Sequence, residues 1–318
     1  MYRLGIDLGG TNVASAVVDE NYNIIGRGKV KTNLPRPIEE ICDAMAESAN
    51  LALADAGLKI EDIYSMGIGA PGTVDPVKGV ITYANNLGFF NTPVCRMMKE
   101  RMGVDFYLEN DANAAAYGEY LAGAGKGTNN FVAITLGTGV GGGVIINGKL
   151  FSGSNFAGAE LGHTVIWAGG KQCTCGRKGC FEAYASATAL ISQTKEKMEE
   201  NKDSIMWELA DNDINKVSGR TAWDGWRKGD RAATEVVDTY CLNVAEGVCN
   251  MVNIFQPEKI CIGGGVAGEK DNLIKPINKL VNEMKYTRHH DKEDRVFVAA
   301  LGNDAGIIGA AFLDLLYK

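Results

Sequence analysis

The chain has 318 residues, of which 46% are hydrophobic and 22% are charged, the composition of an ordinary folded protein that is long enough for two domains. Its formal net charge of −7 argues against a nucleic-acid-binding surface. The amino terminus opens with a strand rather than with a signal peptide, and no apolar run approaches a membrane span. We therefore expect a cytoplasmic protein with no nucleic-acid or membrane partner.

Two glycine-rich hairpins of one design occur in the chain. The first joins a strand at 2–8 to a strand at 13–18 through the turn Asp7-Leu-Gly-Gly-Thr-Asn12. The second joins a strand at 131–136 to a return strand at 144–149 through Gly137-Thr-Gly-Val-Gly-Gly-Gly143. Because the same unit recurs, we expect a duplicated α/β domain.

The tips of these hairpins are candidate phosphate-binding turns. Backbone N–H groups of a glycine turn can hold an anion, a threonine hydroxyl adds a donor, and the Asp7 carboxylate can hold Mg²⁺ through water. The alternative is that the glycines serve only the tight turns. Two such tips, together with Gly263-Gly-Gly265 after a further strand, favour a nucleotide clamp.

The rest of the chain shows the same alternation of strands and helices. Between the hairpins, apolar periodicity predicts a helix at Ile38–Ala56, a strand at Tyr64–Gly69 and a strand at Asp105–Leu108. Residues 187–255 are expected to be largely helical. Strands at 259–263 and 296–300 and a C-terminal helix complete the prediction.

Asp111 lies between a predicted strand and an alanine-rich helix that starts near Asn110. Either residue can be the N-cap of that helix. A carboxylate at a strand end can also accept a proton from a substrate hydroxyl. The residues alone leave both interpretations open.

Three cysteines and a histidine predict a metal site. Cys173, Cys175 and Cys180 lie within eight residues, and His163 is one of only three histidines. Three thiolates and one imidazole form a closed tetrahedral zinc set, which leaves no open position for catalysis. A disulfide among the cysteines is the alternative, which a cytosolic address disfavours.

Two acidic residues, Glu160 and Glu182, flank this cluster. A metal that ties the two segments together would also fix both carboxylates. Carboxylates accept hydrogen bonds from vicinal hydroxyls, the recurrent feature of a sugar, and His163 can donate its second ring N–H to such a substrate.

Three segments match the dinucleotide fingerprint, beginning at Gly67, Gly137 and Gly263. A dinucleotide-binding segment should open a helix. The first segment contains a proline, the second is followed by a strand rather than a helix, and the third is not followed by a strand that ends in an acid. The chain also lacks a P-loop and a protein-kinase catalytic loop. These three nucleotide-binding classes are therefore not expected.

Taken together and in this order, the motifs resemble the ROK family of sugar kinases and sugar-responsive repressors. The segments that carry the resemblance are Asp7-Leu-Gly-Gly-Thr11, Glu109-Asn-Asp-Ala-Asn113, Leu136–Gly143, Glu160-Leu-Gly-His163 and Cys173–Glu182. The ending Ala300–Ala311 looks like that of bacterial glucokinase members. The resemblance implies an actin/hexokinase-like (ribonuclease H-like) duplicated α/β fold. Its two domains around a cleft are expected at 1–115 with 302–318, and at 116–301.

The resemblance also implies a reaction and a set of site residues. It implies transfer of a phosphoryl group from ATP, with Mg²⁺, to the 6-hydroxyl of D-glucose, with Asp111 as the general base. The residues assigned to the sugar are Gly72, Asn86, Asn110, Asp111, Glu160, His163 and Glu182. Those assigned to ATP are Asp7, Gly9, Gly10, Thr11, Asn12, Gly137, Thr138, Gly139, Gly264 and Gly265. The structural Zn²⁺ is assigned to His163, Cys173, Cys175 and Cys180.

Other functions within the family remain open. The same residues occur in kinases for N-acetylmannosamine, N-acetylglucosamine, fructose or allose. A non-catalytic sugar-sensing regulator is less expected, since the repressors carry an N-terminal helix-turn-helix domain and the hairpin here begins at residue 3. We expect small-molecule partners, sugar and ATP, and a homodimer or homotetramer.

Overall fold

The computed structural model describes residues 1–318 apart from the side chain of Asn86. The strands are β1 (Tyr2–Leu8), β2 (Asn12–Val18), β3 (Ile24–Lys31), β4 (Ile63–Ala70), β5 (Thr73–Asp75), β6 (Val80–Ala84), β7 (Phe89–Thr92), β8 (Phe106–Asn110), β9 (Phe131–Leu136), β10 (Val140–Ile146), β11 (Lys149–Leu150), β12 (Lys259–Gly263) and β13 (Val296–Val298). The helices are α1 (Ile38–Ala56), α2 (Val94–Met102), α3 (Asp111–Ala122), α4 (Glu182–Ala185), α5 (Ala187–Glu200), α6 (Met206–Leu209), α7 (Thr221–Arg227), α8 (Arg231–Phe255), α9 (Asp271–Met284), α10 (Ala305–Ala311) and α11 (Asp314–Tyr317).

The chain forms two compact units. The first unit contains residues 1–133, 142–159 and 299–318, and the second contains residues 134–141 and 160–298. The domain boundaries expected from the sequence stay a prediction.

The first unit is built on a five-stranded sheet with the order β3-β2-β1-β4-β8. β1 and β2 form the predicted antiparallel hairpin, whereas β1, β4 and β8 are parallel. Asp7 pairs with Gly69, and Gly69 pairs with Glu109. The carboxyl ends of three strands that are distant in sequence therefore meet at one edge of the sheet.

Apolar periodicity places one face of α1 in the core of this unit. Ile41 and Met45 are fully buried and belong to one cluster with Leu4 and Ile6 of β1. Burial of each such side chain contributes about 1.5–3 kcal/mol. The helix has the bounds predicted from its pattern, Ile38–Ala56, and ends at a glycine in the left-handed conformation.

Helix α10, near the C-terminus, packs against the same sheet, and this packing explains the glycine motif that begins at Gly67. A Cβ at Gly67 would overlap the carbonyl oxygen of Ala310. Gly67 is thus required for the close approach of a helix. The buried Glu119 carboxylate of α3 accepts hydrogen bonds from the backbone N–H groups of Ala300 (3.0 Å) and Leu301 (2.7 Å), which anchors the segment before α10.

A second five-stranded sheet has the order β11-β10-β9-β12-β13. The predicted return strand begins earlier than expected, because β10 starts at Val140 rather than at residue 144. Gly141 to Gly143 therefore lie in the strand, where a Cβ at Gly143 would meet the side chain of Ala116. Gly143 serves packing, and the turn itself is limited to residues 137–139.

Several elements carry no clear sequence signal. The short strands β5, β6 and β7 form a separate antiparallel sheet, and β3 and α2 were not predicted. None of the helices in the described chain combines the length and the apolarity needed to cross a bilayer.

Candidate active site

Two partly buried carboxylates lie at the sheet edge of the first unit. Asp7 is at the end of β1, and Asp111 is the first residue of α3, directly after β8. Burial, and then the neighbouring negative charge of Asp111, raise the pKa of Asp7 to about 6. Burial also raises the pKa of Asp111. Within the described part of the chain neither carboxylate has an ion-pair partner, so the pair is suited to a cation or to proton transfer.

The structure identifies the residue that caps α3. The cap is Asn110, whose side-chain oxygen accepts hydrogen bonds from the backbone N–H groups of Ala112 (2.9 Å) and Asn113 (3.2 Å). Among the described residues, the Asp111 carboxylate accepts hydrogen bonds only from nearby groups. These are its own backbone N–H, the side chain of Asn110 and, at 2.8 Å, the N–H of Ala112. Its capping role is therefore filled by its neighbour.

Glu109 is a buried acid that sequence reasoning did not single out. It accepts hydrogen bonds from the backbone N–H of Asn110 (2.7 Å), the side chain of Asn113 (3.1 Å) and the hydroxyl of Tyr317. Burial raises its pKa, and these donors oppose the shift. A carboxylate saturated by protein donors holds the end of β8 in place, which orients Asn110 and the residue after it.

Other predicted sugar residues of this unit lie beside the same strand end. The side-chain amide of Asn110 donates to the carbonyl oxygen of Gly72 at 3.0 Å. The structure thus joins two of the predicted residues. Asn86 lies in a short 3-10 helix, Asn85–Leu87, and its side chain is outside what the structure describes.

The first glycine tip is a tight turn with exposed backbone. The N–H of Gly9 donates to the carbonyl of Asn12 at 3.0 Å, and the buried Thr32 hydroxyl donates to the carbonyl of Gly9 at 2.7 Å. A Cβ at Gly10 would meet no atom within 4 Å. The tip is therefore held from one side and open on the other, beside the Asp7 carboxylate.

The second glycine tip belongs to the second unit and is held by helix α5. The N–H of Ala187 donates to the carbonyl of Gly137 at 2.8 Å, and the hydroxyl of Thr188 donates to the carbonyl of Thr138 at 2.8 Å. The N–H of Gly137 donates to the carbonyl of Gly139 at 3.0 Å, so the N–H groups of Thr138 and Gly139 are the candidate donors to an anion.

The third glycine segment, 263–265, lies beside the second glycine tip. Gly264 has φ +86°, a conformation that favours glycine, and a Cβ there would overlap the carbonyl oxygen of Leu136 at the end of β9. Next to it, a cavity of about 660 Å³ is bordered by Gly265, Ala187 and Arg227. Arg227 is held by Asp224 and Glu269, which also border the cavity. Arg227 carried no sequence signal, since nothing in its local pattern reports a contact made across helices.

The four predicted metal ligands form one cluster. The ligand atoms of His163, Cys173, Cys175 and Cys180 all lie within 4.8 Å of one another. The Sγ atoms of Cys175 and Cys180 are 3.6 Å apart, and all cysteines of the chain are free thiols. Sulfur atoms bound to one zinc at ~2.3 Å lie at about this separation, so the donor set fits Zn²⁺ rather than a disulfide.

Glu182 connects the metal loop to the second glycine tip. Its carboxylate accepts hydrogen bonds from the hydroxyl of Thr174 (3.1 Å) in the loop and from the N–H of Val140 (3.0 Å) after the tip. The prediction that the loop positions this acid is thus supported by direct contact. Glu160 immediately precedes the turn that contains His163, is exposed, and its carboxylate forms no hydrogen bond or ion pair with any residue the structure describes.

With this geometry established, comparisons with known proteins are informative. The ROK family model matches residues 3–315. The chain belongs to the ROK family. A glucokinase of Streptomyces coelicolor is 35% identical over 98% of this chain and 96% of that protein. An N-acetylmannosamine kinase of Haemophilus influenzae is 30% identical over 98% of this chain and 95% of that protein.

A solved structure supports the same assignment. A ROK family glucokinase from Streptomyces griseus, crystallised with glucose and AMPPNP, is 34% identical, covers 99% of both chains and superposes with a TM-score of 0.81. The family assignment and the expected actin/hexokinase-like fold are thereby confirmed. The roles of individual residues stay proposals.

Proposed function

We propose that this protein is a glucokinase that transfers the γ-phosphoryl group of ATP to the 6-hydroxyl of D-glucose. The coarser statement, an ATP-dependent sugar kinase, follows from family membership and from kinase relatives that span nearly the whole chain. The observation that supports catalysis most directly is the partly buried Asp111 carboxylate, which has no cationic partner within the described chain and is relieved of capping by Asn110.

In the proposed mechanism Asp111 acts as the general base. It orients the sugar hydroxyl and takes its proton as the bond from that oxygen to phosphorus forms and the bond to the ADP oxygen breaks. Burial supports this role, since it raises the pKa of Asp111 and makes the carboxylate a better proton acceptor.

Asp7 fits a cation site better than a proton-transfer site. Burial and the neighbouring acid raise the pKa of its carboxyl group to about 6, without a compensating positive charge, so the group is half ionised at about that pH. Carboxylate oxygens and water are the ligands that Mg²⁺ prefers, and the ion would neutralise charge on the transferring phosphoryl group. We assign Asp7 to this ion.

The glycine turns supply the remaining ATP contacts in this proposal. Thr11 and the tip at 9–12 of the first unit, and the tip at 137–139 of the second, offer N–H groups to phosphate oxygens. The cavity beside Gly265 offers a volume of about 660 Å³, enough for a nucleoside.

The zinc cluster is assigned a structural role. Four protein ligands close the coordination sphere, so the ion would stabilise the loop 163–180 and position Glu182. We assign Glu160, His163 and Glu182 to the sugar hydroxyls.

A panel of sugars tests the proposal. D-glucose, N-acetylmannosamine, N-acetylglucosamine, fructose and allose are each incubated with Mg-ATP, and ADP release is coupled through pyruvate kinase to lactate dehydrogenase. We expect glucose to have the highest kcat/KM. An N-acetylmannosamine preference of more than about tenfold, which corresponds to about 1.4 kcal/mol, would overturn the substrate assignment and leave the kinase assignment standing.

The N-acetylmannosamine kinase is the second candidate, and one observation keeps it open: a relative of that name is 30% identical over nearly the whole chain. Absence of ADP release with every sugar would instead refute the catalytic role of Asp111 and favour a sugar-sensing regulator.

A further inference from the structure

A second cavity of the second unit lies outside the candidate active site. It has a volume of about 580 Å³ and is bordered by one face of α5, one face of α8 and the segment before Cys173. None of its lining residues belongs to the predicted sugar, ATP or zinc residues. The volume is sufficient for a mono- or disaccharide.

A buried amide in this cavity lacks a partner. Asn243 of α8 is 5% exposed and borders the cavity, and its side chain makes no hydrogen bond to any described residue. Its amide atoms are not sealed from solvent but open into the cavity, so they are available to a ligand there. An amide offers both donors and an acceptor, the combination that vicinal hydroxyls satisfy.

An aromatic side chain stands at the rim of the same cavity. Trp167 is 57% exposed although its backbone is fixed by a hydrogen bond to the carbonyl of Gly179. A large exposed indole on a rigid backbone offers a flat apolar surface to one face of a sugar ring.

The charges of the cavity select a neutral ligand. Four carboxylates and two ammonium groups border it. Both lysines are already paired, Lys171 with Glu196 at 2.9 Å and Lys197 with Glu235 at 2.7 Å. An anionic ligand, such as a phosphorylated sugar, would therefore meet excess negative charge and no free cation in the wall.

The cavity is also connected to the metal loop. Lys171 lines it, and the N–H of Lys171 donates to the hydroxyl of Tyr184 at 2.6 Å. Tyr184 lines the cavity too and lies in α4, the short helix that begins at Glu182. A ligand in the cavity would therefore contact both Lys171 and Tyr184.

We propose that this cavity is a second, non-catalytic binding site for a neutral, unphosphorylated sugar, recognised by Asn243 and Trp167. The proposal concerns a different set of residues from the proposed kinase function and stands or falls independently of it.

Calorimetric titration with D-glucose, maltose and sucrose tests the proposal in four proteins: the unmodified chain, Asn243→Leu, Trp167→Ala and Glu160→Gln. We expect two classes of site for at least one sugar. Asn243→Leu and Trp167→Ala should each weaken one class at least tenfold, and Glu160→Gln should affect only the other. The proposal is refuted if, at sugar concentrations up to about 10 mM, no sugar shows a binding component that Asn243→Leu weakens. A dissociation constant of about 10 mM corresponds to a binding free energy of less than about 3 kcal/mol.

Further measurements exclude the alternatives. Asn243→Leu should leave the melting temperature unchanged or higher, because an amide without a partner loses no hydrogen bond; a clear decrease would mean that it is bonded within the protein and would refute the proposal. Glucose 6-phosphate and choline should not compete, and competition by either would overturn the neutral-sugar assignment. A change of oligomeric state in Trp167→Ala would identify the surface as an interface between copies and would equally overturn it.

Discussion

Asp7→Asn is expected to stabilise the protein while it abolishes activity. Burial and the Asp111 charge raise the pKa of Asp7 from 3.8 to about 6. A shift of about two pKa units corresponds to about 3 kcal/mol of destabilisation when Asp7 is ionised. The amide must itself be buried, at a cost of about 1–2 kcal/mol, so the net gain at neutral pH should be about 1–2 kcal/mol.

The sign of the pH dependence follows from linkage. Because the folded-state pKa of Asp7 lies above the unfolded-state value, the folded protein binds more protons between about pH 4 and pH 6. The contribution of Asp7 to stability is therefore complete below pH 4 and is lost as the pH rises through 6. Urea unfolding of the unmodified protein and of Asp7→Asn, at about pH 7.5 and about pH 4.5, measures the difference in their free energies of unfolding. The contributions of the other titrating groups cancel in this difference.

A control of opposite sign is available in the same unit. Arg27, through its hydrogen bonds, lowers the pKa of Asp304. Asp304→Asn should thus destabilise the protein at neutral pH, with the effect declining as the pH falls through the folded-state pKa. If the Asp7→Asn gain is absent, or is equally large at both pH values, the electrostatic reasoning is wrong. Retention of near-normal turnover by Asp7→Asn would refute its assignment to Mg²⁺.

The remaining predictions concern the base, the zinc and the sugar. Asp111→Asn should reduce kcat by about 10²–10⁴-fold with little loss of stability, whereas Asn110→Ala should cost about 1 kcal/mol through the lost cap; near-normal kcat in the first variant would refute the base. Metal analysis should find about one zinc per chain, and Cys175→Ser should lower zinc content and melting temperature together, whereas Cys95→Ser, outside the cluster, should keep its zinc. Glu160→Gln should raise the KM for sugar and leave the KM for ATP unchanged, and an equal rise in both would argue against a sugar contact.

Features determined by local spacing could be read from the sequence. The bounds of α1 follow from its apolar period and its terminal glycine, and both hairpins follow from their turns. The clustering of the four candidate metal ligands was predictable for the same reason, since three of the four lie within eight residues and need only a tight loop to converge.

Other features depend on contacts between segments that are distant in the chain. Asp7 and Asp111 come together only because β1, β4 and β8 pair in parallel, and no local pattern encodes that register. Burial, and then the charge of Asp111, raise the pKa of Asp7, and both depend on the folded state. The sequence therefore identified candidate side chains for the chemistry, and the tertiary structure decided their ionisation and their partners, since both depend on distance in space.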